Sequence, residues 1–246
     1  MKVGEKITVG VLTPHTAAGA DVEFPELAPG LVRVETSRVR PVVGVARVEA
    51  LRAQAEVLDD AASILSPAAD VLGIASTSLG YAVGYAAETA LVERLRARWD
   101  VPVCSTSLSA VAALRLRQVR SVSLVHPPWF GQSLNDLGAE YFRSQGFEVV
   151  EARLADLPDD PDKIEPAMVV EYVAQHLSPR ADAVFLGGNG FRAARAVHAL
   201  ETRTRRLVLE ANQVLLWSVL RSAGAPTALA AFGTLLAVDN RTTNAR

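Results

Sequence analysis

The sequence predicts an α/β protein made of two related lobes, each a parallel β-sheet flanked by helices, with a ligand cleft between them. Two observations carry this expectation. Apolar runs of strand length alternate with helical patterns along the chain, which is how βαβ units and parallel sheets read in sequence. One strand-loop-helix unit also occurs twice, as ADVLGIASTSLGYAVGYAAETALVERLR from Ala69 and as ADAVFLGGNGFRAARAVHALETRTR from Ala181.

In chain order, strands are expected at residues 7–12, 31–36, 71–75, 101–104, 119–125, 148–150, 183–186 and 206–209. Each is a short apolar run, as strands covered on both faces should be. Helical periodicity fills residues 48–65, 83–98, 109–117, 134–144, 166–177, 193–202 and 212–223. Gly146 and the turn from Gly224 to Pro226 supply ordinary helix-ending signals. The polar stretch PDDPDKIEP at 158–166 reads as a surface loop, and the closing DNRTTNAR as a tail that frays.

The duplication extends past the two loops. Aligning the Ala-Asp openings sets Ser76-Thr77-Ser78 opposite Gly188-Asn189-Gly190. Thr13-Pro14-His15 and His126-Pro127-Pro128 both follow an apolar strand. The segments starting at Val101 and Leu207 also match, with Cys104 set opposite Glu210 and Thr106 opposite Asn212. The expected lobes are residues 1–116, completed by the returning segment 217–246, and residues 117–216. Ligands of parallel sheets bind beyond the carboxyl ends of the strands, so these loops converge on one cleft.

Composition narrows the function classes. The 246 residues are 50% hydrophobic, enough for a sizeable core. Formal net charge is −2, and no basic run interleaves with aromatics, which argues against nucleic acid as partner. Only Lys2, Lys6 and Lys163 are lysines, so 22 of the 25 basic residues are arginine, which reads as coding bias. No stretch has membrane-spanning length and the N-terminus lacks a signal-peptide pattern, so a cytoplasmic protein is expected. A lone cysteine, Cys104, rules out an internal disulfide, and no Cys/His cluster has metal-ligand spacing.

Several residues at strand ends could do chemistry. Glu210 in a partly dry cleft could act as acid or base, and so could His15 or His126. Glu210 reads equally well as a solvated strand-end carboxylate, and Cys104 in its VPVC setting as a small core residue. Ser76, Thr77 and Ser78 offer hydroxyls, Asn189 an amide, and Gly188 and Gly190 close backbone approach. Strand-to-helix loops of this kind suit an anion, although the same side chains cap helices. Tyr81 could orient a ligand or pack in the core. The GGNG stretch lacks nucleotide-binding spacing, and Ser76 lacks a nucleophile-elbow frame.

On VGVLTPH, STSLGY, VRSVSLVHP, FLGGNGFR, ANQVLLWSVLRSAG and the ending FGTLL, the chain resembles the aspartate/glutamate racemase superfamily. Within it, the likeness is to the arylmalonate decarboxylase and maleate cis-trans isomerase branch, and it covers nearly the whole chain. The resemblance implies two pseudo-twofold lobes around a cleft, no cofactor, a small carboxylic acid as partner and room for small homo-oligomers. It implies that Thr77 and Ser78 hold a substrate carboxylate; Thr13, Pro14, Gly188, Asn189, Gly190, Trp129 and Tyr81 are the further candidates to line the pocket. It also exposes a departure. Where the family places its two loop cysteines, this chain has Ser76 and Gly188. Neither replaces a thiol by itself, so proton transfer falls to Glu210, a histidine such as His15, or Cys104, with Ser76 kept beside them as a candidate catalytic residue. The branch's tyrosine in the HPPWF region is missing too, with Trp129 and Phe130 there instead. A cofactor-independent isomerase or lyase working through an enolate-type intermediate is expected. The alternative is a non-catalytic carboxylate-binding or regulatory protein.

Overall fold

The computed structural model describes residues 6–40, 44–45, 47–229 and 232–237. The closing DNRTTNAR, expected to fray, lies outside them. Two four-stranded parallel sheets form the frame. The first contains β1 (Ile7–Thr13), β2 (Val32–Arg38), β3 (Val71–Ile74) and β4 (Val103–Ser105), in the order β2-β1-β3-β4. The second contains β5 (Ser121–His126), β6 (Glu148–Leu154), β7 (Ala183–Leu186) and β8 (Leu207–Glu210), in the order β6-β5-β7-β8. All eight strands fall where the apolar runs predict them.

The two sheets are built alike down to single hydrogen bonds. At the start of β3, Asp70 accepts the Thr8 amide at 2.7 Å and gives its own amide to the Thr8 carbonyl. At the start of β7, Asp182 does the same with Ser121. At the far end, Ala75 donates to Leu12 and Gly187 to Val125; Val39 donates to Thr13 and Ala155 to His126. Thr13 is thus the structural counterpart of His126, and Pro14 of Pro127, as the sequence alignment has it.

The alignment of the last strands needs a one-residue correction. Ile74 pairs with Ser105, and its counterpart Leu186 pairs with Glu210. Glu210 therefore matches Ser105, and Cys104 matches Leu209. Side chains alternate across a sheet, so this single step puts Cys104 on the face opposite to Glu210's. Both Ser105 and Glu210 occupy the N-cap position of the helix that follows, α6 (Thr106–Leu116) and α10 (Ala211–Ser222), and of the two only the Glu210 side chain makes a capping hydrogen bond.

The helices complete the layers. The pattern at 48–65 divides into α2 (Arg47–Glu56) and α3 (Leu58–Leu65). The pattern at 83–98 belongs to α5 (Tyr85–Trp99), and a shorter α4 (Thr77–Val83) precedes it, broken off by Gly84 at φ +83°. The remaining helices are α7 (Gly131–Arg143), α8 (Pro166–His176) and α9 (Val197–Thr204). One was not legible: α1 (Ala20–Leu27), with Pro25 inside it. Proline argues against a helix locally, but burying Phe24 and Leu27 outweighs it here. Though α10 follows a strand of the second sheet, it packs on the first, setting Leu215 and Val219 against Gly73. No helix among the described residues is long and apolar enough to cross a membrane.

Candidate functional site

The carboxyl ends of β1 and β3 meet those of β5 and β7 at a small cleft of about 140 Å³. Its inner wall is the two repeated loops: Ser76, Thr77 and Ser78 from the first sheet, Gly188, Asn189 and Gly190 from the second. His15 closes one side, and Trp129 and Phe130 the other. The two triplets that the sequence sets opposite each other do face one cavity.

What those triplets do differs from residue to residue. Thr77 is fully buried, and its hydroxyl donates to Asn189 Oδ1 at 3.2 Å while accepting the Gly188 amide at 2.9 Å. Asn189 Oδ1 also takes the Thr77 amide, and its Nδ2 donates to Thr106 Oγ1 and Asn212 Oδ1. Asn189 and Thr77 therefore bolt the two loops together, with their side chains spent on each other. Ser76 caps α4 by accepting the Leu79 amide, 3.1 Å away, and lies 3.3 Å from Ser78 Oγ. Ser78 is the more open of the two serines.

Gly188 is more than a missing side chain. Its φ of +103° lies where L-residues rarely go, and a Cβ there would meet Pro127 at 2.9 Å. The loop has a shape that only glycine takes comfortably. Ser76, at φ −158°, is ordinary extended backbone.

His15 sits in a tightly held loop. Arg38 donates to the carbonyls of His15 and Ala17, and Gln54 to that of Pro14. Both imidazole nitrogens are shielded from bulk water, and neither has a hydrogen-bond partner among the described residues. Burial pulls the His15 pKa below 6.5, opposed by the nearby Ala17 and Ala75 backbone. The ring is neutral at pH 7, with a lone pair available.

The other candidates lie elsewhere. Glu210 is fully buried as the N-cap of α10, in a capping box with Gln213. Burial, then the neighbouring Glu23 carboxyl, push its pKa well above the usual carboxylate range. Cys104 packs into the core of the first sheet with its sulfur 3.3 Å from Ser222 Oγ. Thr13 is buried, with its hydroxyl unpaired among the described residues, and Pro14 is held through its carbonyl. Tyr81 donates to His126 Nε2 at 3.1 Å, because His126 Nδ1–H is committed to Asn135 Oδ1. Burial holds that histidine neutral, its pKa down to about 4. Tyr81 and His126 thus pair behind the second loop and do not line the cleft.

Sequence reasoning missed three participants. Glu23, on the unexpected α1, is buried and accepts from Asn212 Nδ2 and the Ala194 amide. Asn212 in turn donates to the Asn189 carbonyl, so Glu23 anchors the second loop from behind. Burial raises the Glu23 pKa to about 7. Glu88, buried between the lobes, accepts from Ser105 and Tyr141, and burial likewise raises its pKa to about 7. Arg47 reaches the cleft mouth from α2. The spacing of Ala20, Glu23, Phe24 and Leu27 on one helical face could have flagged Glu23. Nothing local separates Arg47 from the other arginines. No cluster of three or more His, Cys, Asp or Glu among the described residues could hold a metal ion.

A sequence model of the arylmalonate decarboxylase family matches residues 33–236. No curated protein matches by sequence. Among solved structures, the maleate isomerase Iso of Pseudomonas putida S16 is similar, with a TM-score of 0.85 and 24% identity over 95% of this chain and 99% of that one. The maleate cis-trans isomerase of Nocardia farcinica gives 0.81 and 22% over 94% and 97%. An arylmalonate decarboxylase gives 0.80 and 22% over 93% and 98%.

Proposed function

The chain belongs to the arylmalonate decarboxylase family, and from that premise we propose that it is an isomerase or decarboxylase of small carboxylic acids. Its substrate is malonate- or maleate-like, and the reaction runs through an enolate-type intermediate without a thiol. The substrate carboxylate lies against Ser76, Ser78 and the backbone amides of Asn189 and Gly190, whose neutral donors also stabilise the negative charge that develops on it. No cofactor takes part. His15 carries the proton to or from the substrate carbon.

One observation carries this reading: among the four catalytic candidates from sequence, only His15 brings a titratable group, neutral and unpaired, to the wall of the cleft. Glu210 and Cys104 are turned into other packing, and Ser76 is an alcohol occupied as a cap. The glycine at 188 and its positive φ fit a site that has given up the family's second-loop thiol.

The test is proton NMR in D2O with maleate and a series of alkyl- and arylmalonates. Carbon dioxide loss, cis-trans conversion or deuterium uptake at carbon is expected. His15→Gln should lower turnover by about 10²- to 10⁴-fold, the usual weight of a general acid–base group. Glu210→Gln and Cys104→Ser should retain it within a few-fold. Turnover that survives in His15→Gln would remove His15 from the mechanism. Binding of these acids with no turnover of any would favour a carboxylate-binding protein. The pH profile has a set sign. His15 must be neutral to accept a proton, so the rate should fall on acidification, with its acid limb below pH 6.5.

A further inference from the structure

We propose that Arg47 is a specificity-determining residue of this cleft, binding the outward-facing anionic group of the substrate while the two loops hold the inner carboxylate. The inference rests on the carboxylate reading of the cleft given above.

Arg47 begins α2 in the first lobe, yet its Nη1 donates to the Trp129 carbonyl in the second. Its guanidinium also lies 5.9 Å from the centre of the Phe130 ring. The side chain therefore crosses the cleft mouth. It is the one Lys, Arg, Asp or Glu among the described residues lining the cleft. It takes part in none of the ion pairs among the described residues, so its charge has no carboxylate partner. Its only hydrogen bond among them goes to a neutral carbonyl, which leaves most of its five donors open.

A guanidinium held this way suits a carboxylate, which it can grip with two parallel hydrogen bonds. The two ends of the cleft are then chemically distinct. Hydroxyls and glycine backbone serve the inner group, and a full positive charge serves the outer one. Replacing the outer carboxylate by an ester should cost affinity only through Arg47.

The experiment is calorimetric titration at pH 8 and low salt with methylmalonate and with its monomethyl ester. Wild type, Arg47→Gln and Ser78→Ala are compared. Wild type should prefer the diacid. Arg47→Gln should weaken the diacid by about 10- to 100-fold, the range for a hydrogen bond to a charged group. It should change the half-ester less than about twofold, and Ser78→Ala should weaken both ligands. Arg47 is exposed, so the variant should melt within about 2 °C of wild type. Equal affinity of Arg47→Gln and wild type for the diacid overturns the proposal, and so does an equal loss for both ligands. Those results leave the cleft reading standing. Failure of wild type to bind either ligand overturns both.

Discussion

At the scale of single residues, the site is decided by which polar atoms are already spent. Asn189 looks in sequence like a ligand-facing amide, yet all its side-chain hydrogen bonds go to Thr77, Thr106 and Asn212. His15 looks like one of two equivalent strand-end histidines, yet of the two it alone has both nitrogens without a hydrogen-bond partner among the described residues. A pattern of residue types cannot report occupancy, because the partners come from segments as far as 112 positions away. Two stability outcomes follow. Asn189→Ala should cost about 2–4 kcal/mol in urea unfolding, since it strands several buried partners at once. Gly188→Ala should cost about 1–3 kcal/mol, through its positive φ and the approach to Pro127. A smaller loss for Gly188→Ala than for Ser76→Ala would show that the loop adjusts its backbone freely.

At the scale of elements, the repeat carries most of the information. The Ala-Asp openings, the two triplets and the paired Thr13-Pro14 and His126-Pro127 turns all align in sequence as they do in space. The alignment slips only at β4 and β8, where short apolar strands offer no polar landmark to fix the register. That one-residue slip paired Cys104 with Glu210, when the true counterpart is Ser105. Both matched positions are helix N-caps. Glu210→Ala should therefore lower stability by about 0.5–2 kcal/mol as a lost cap, measured in the same unfolding titrations. Helix α1 was illegible for a different reason, since its stability comes from packing Phe24 and Leu27 and not from helix propensity.

At the scale of the whole molecule, three buried titratable groups tie its parts together and give stability a pH dependence of mixed sign. His126, with its pKa lowered to about 4, is neutral when folded, whereas the unfolded chain takes up a proton below about 6.5. Its contribution is lost as pH falls through that window. Glu88 and Glu23, raised to about 7, run the other way. Folded, they hold a proton that the unfolded chain releases above about 4.5, so their contribution falls as pH rises from there to about 7. Glu88 spans the lobes through Ser105 and Tyr141. Unfolding free energies of wild type and Glu88→Gln measured across this range check it. Wild type minus variant should fall by roughly 3 kcal/mol between pH 4.5 and 7. A flat difference would mean that Glu88 is ionised throughout.

The sequence by itself determined the sheets, their parallel sense, the two-lobe repeat and the loops that face the cleft. Those properties are written in local periodicity and in internal likeness, which survive without contacts. Only the tertiary structure decided which side chains remain free to act. It consumed Asn189 and Thr77 in bolting the loops and turned Glu210 and Cys104 into helix cap and core. It also brought Arg47 across from the other lobe and buried Glu23 behind the site. Burial and pairing are relations between distant segments, and a linear pattern of residue types does not contain them.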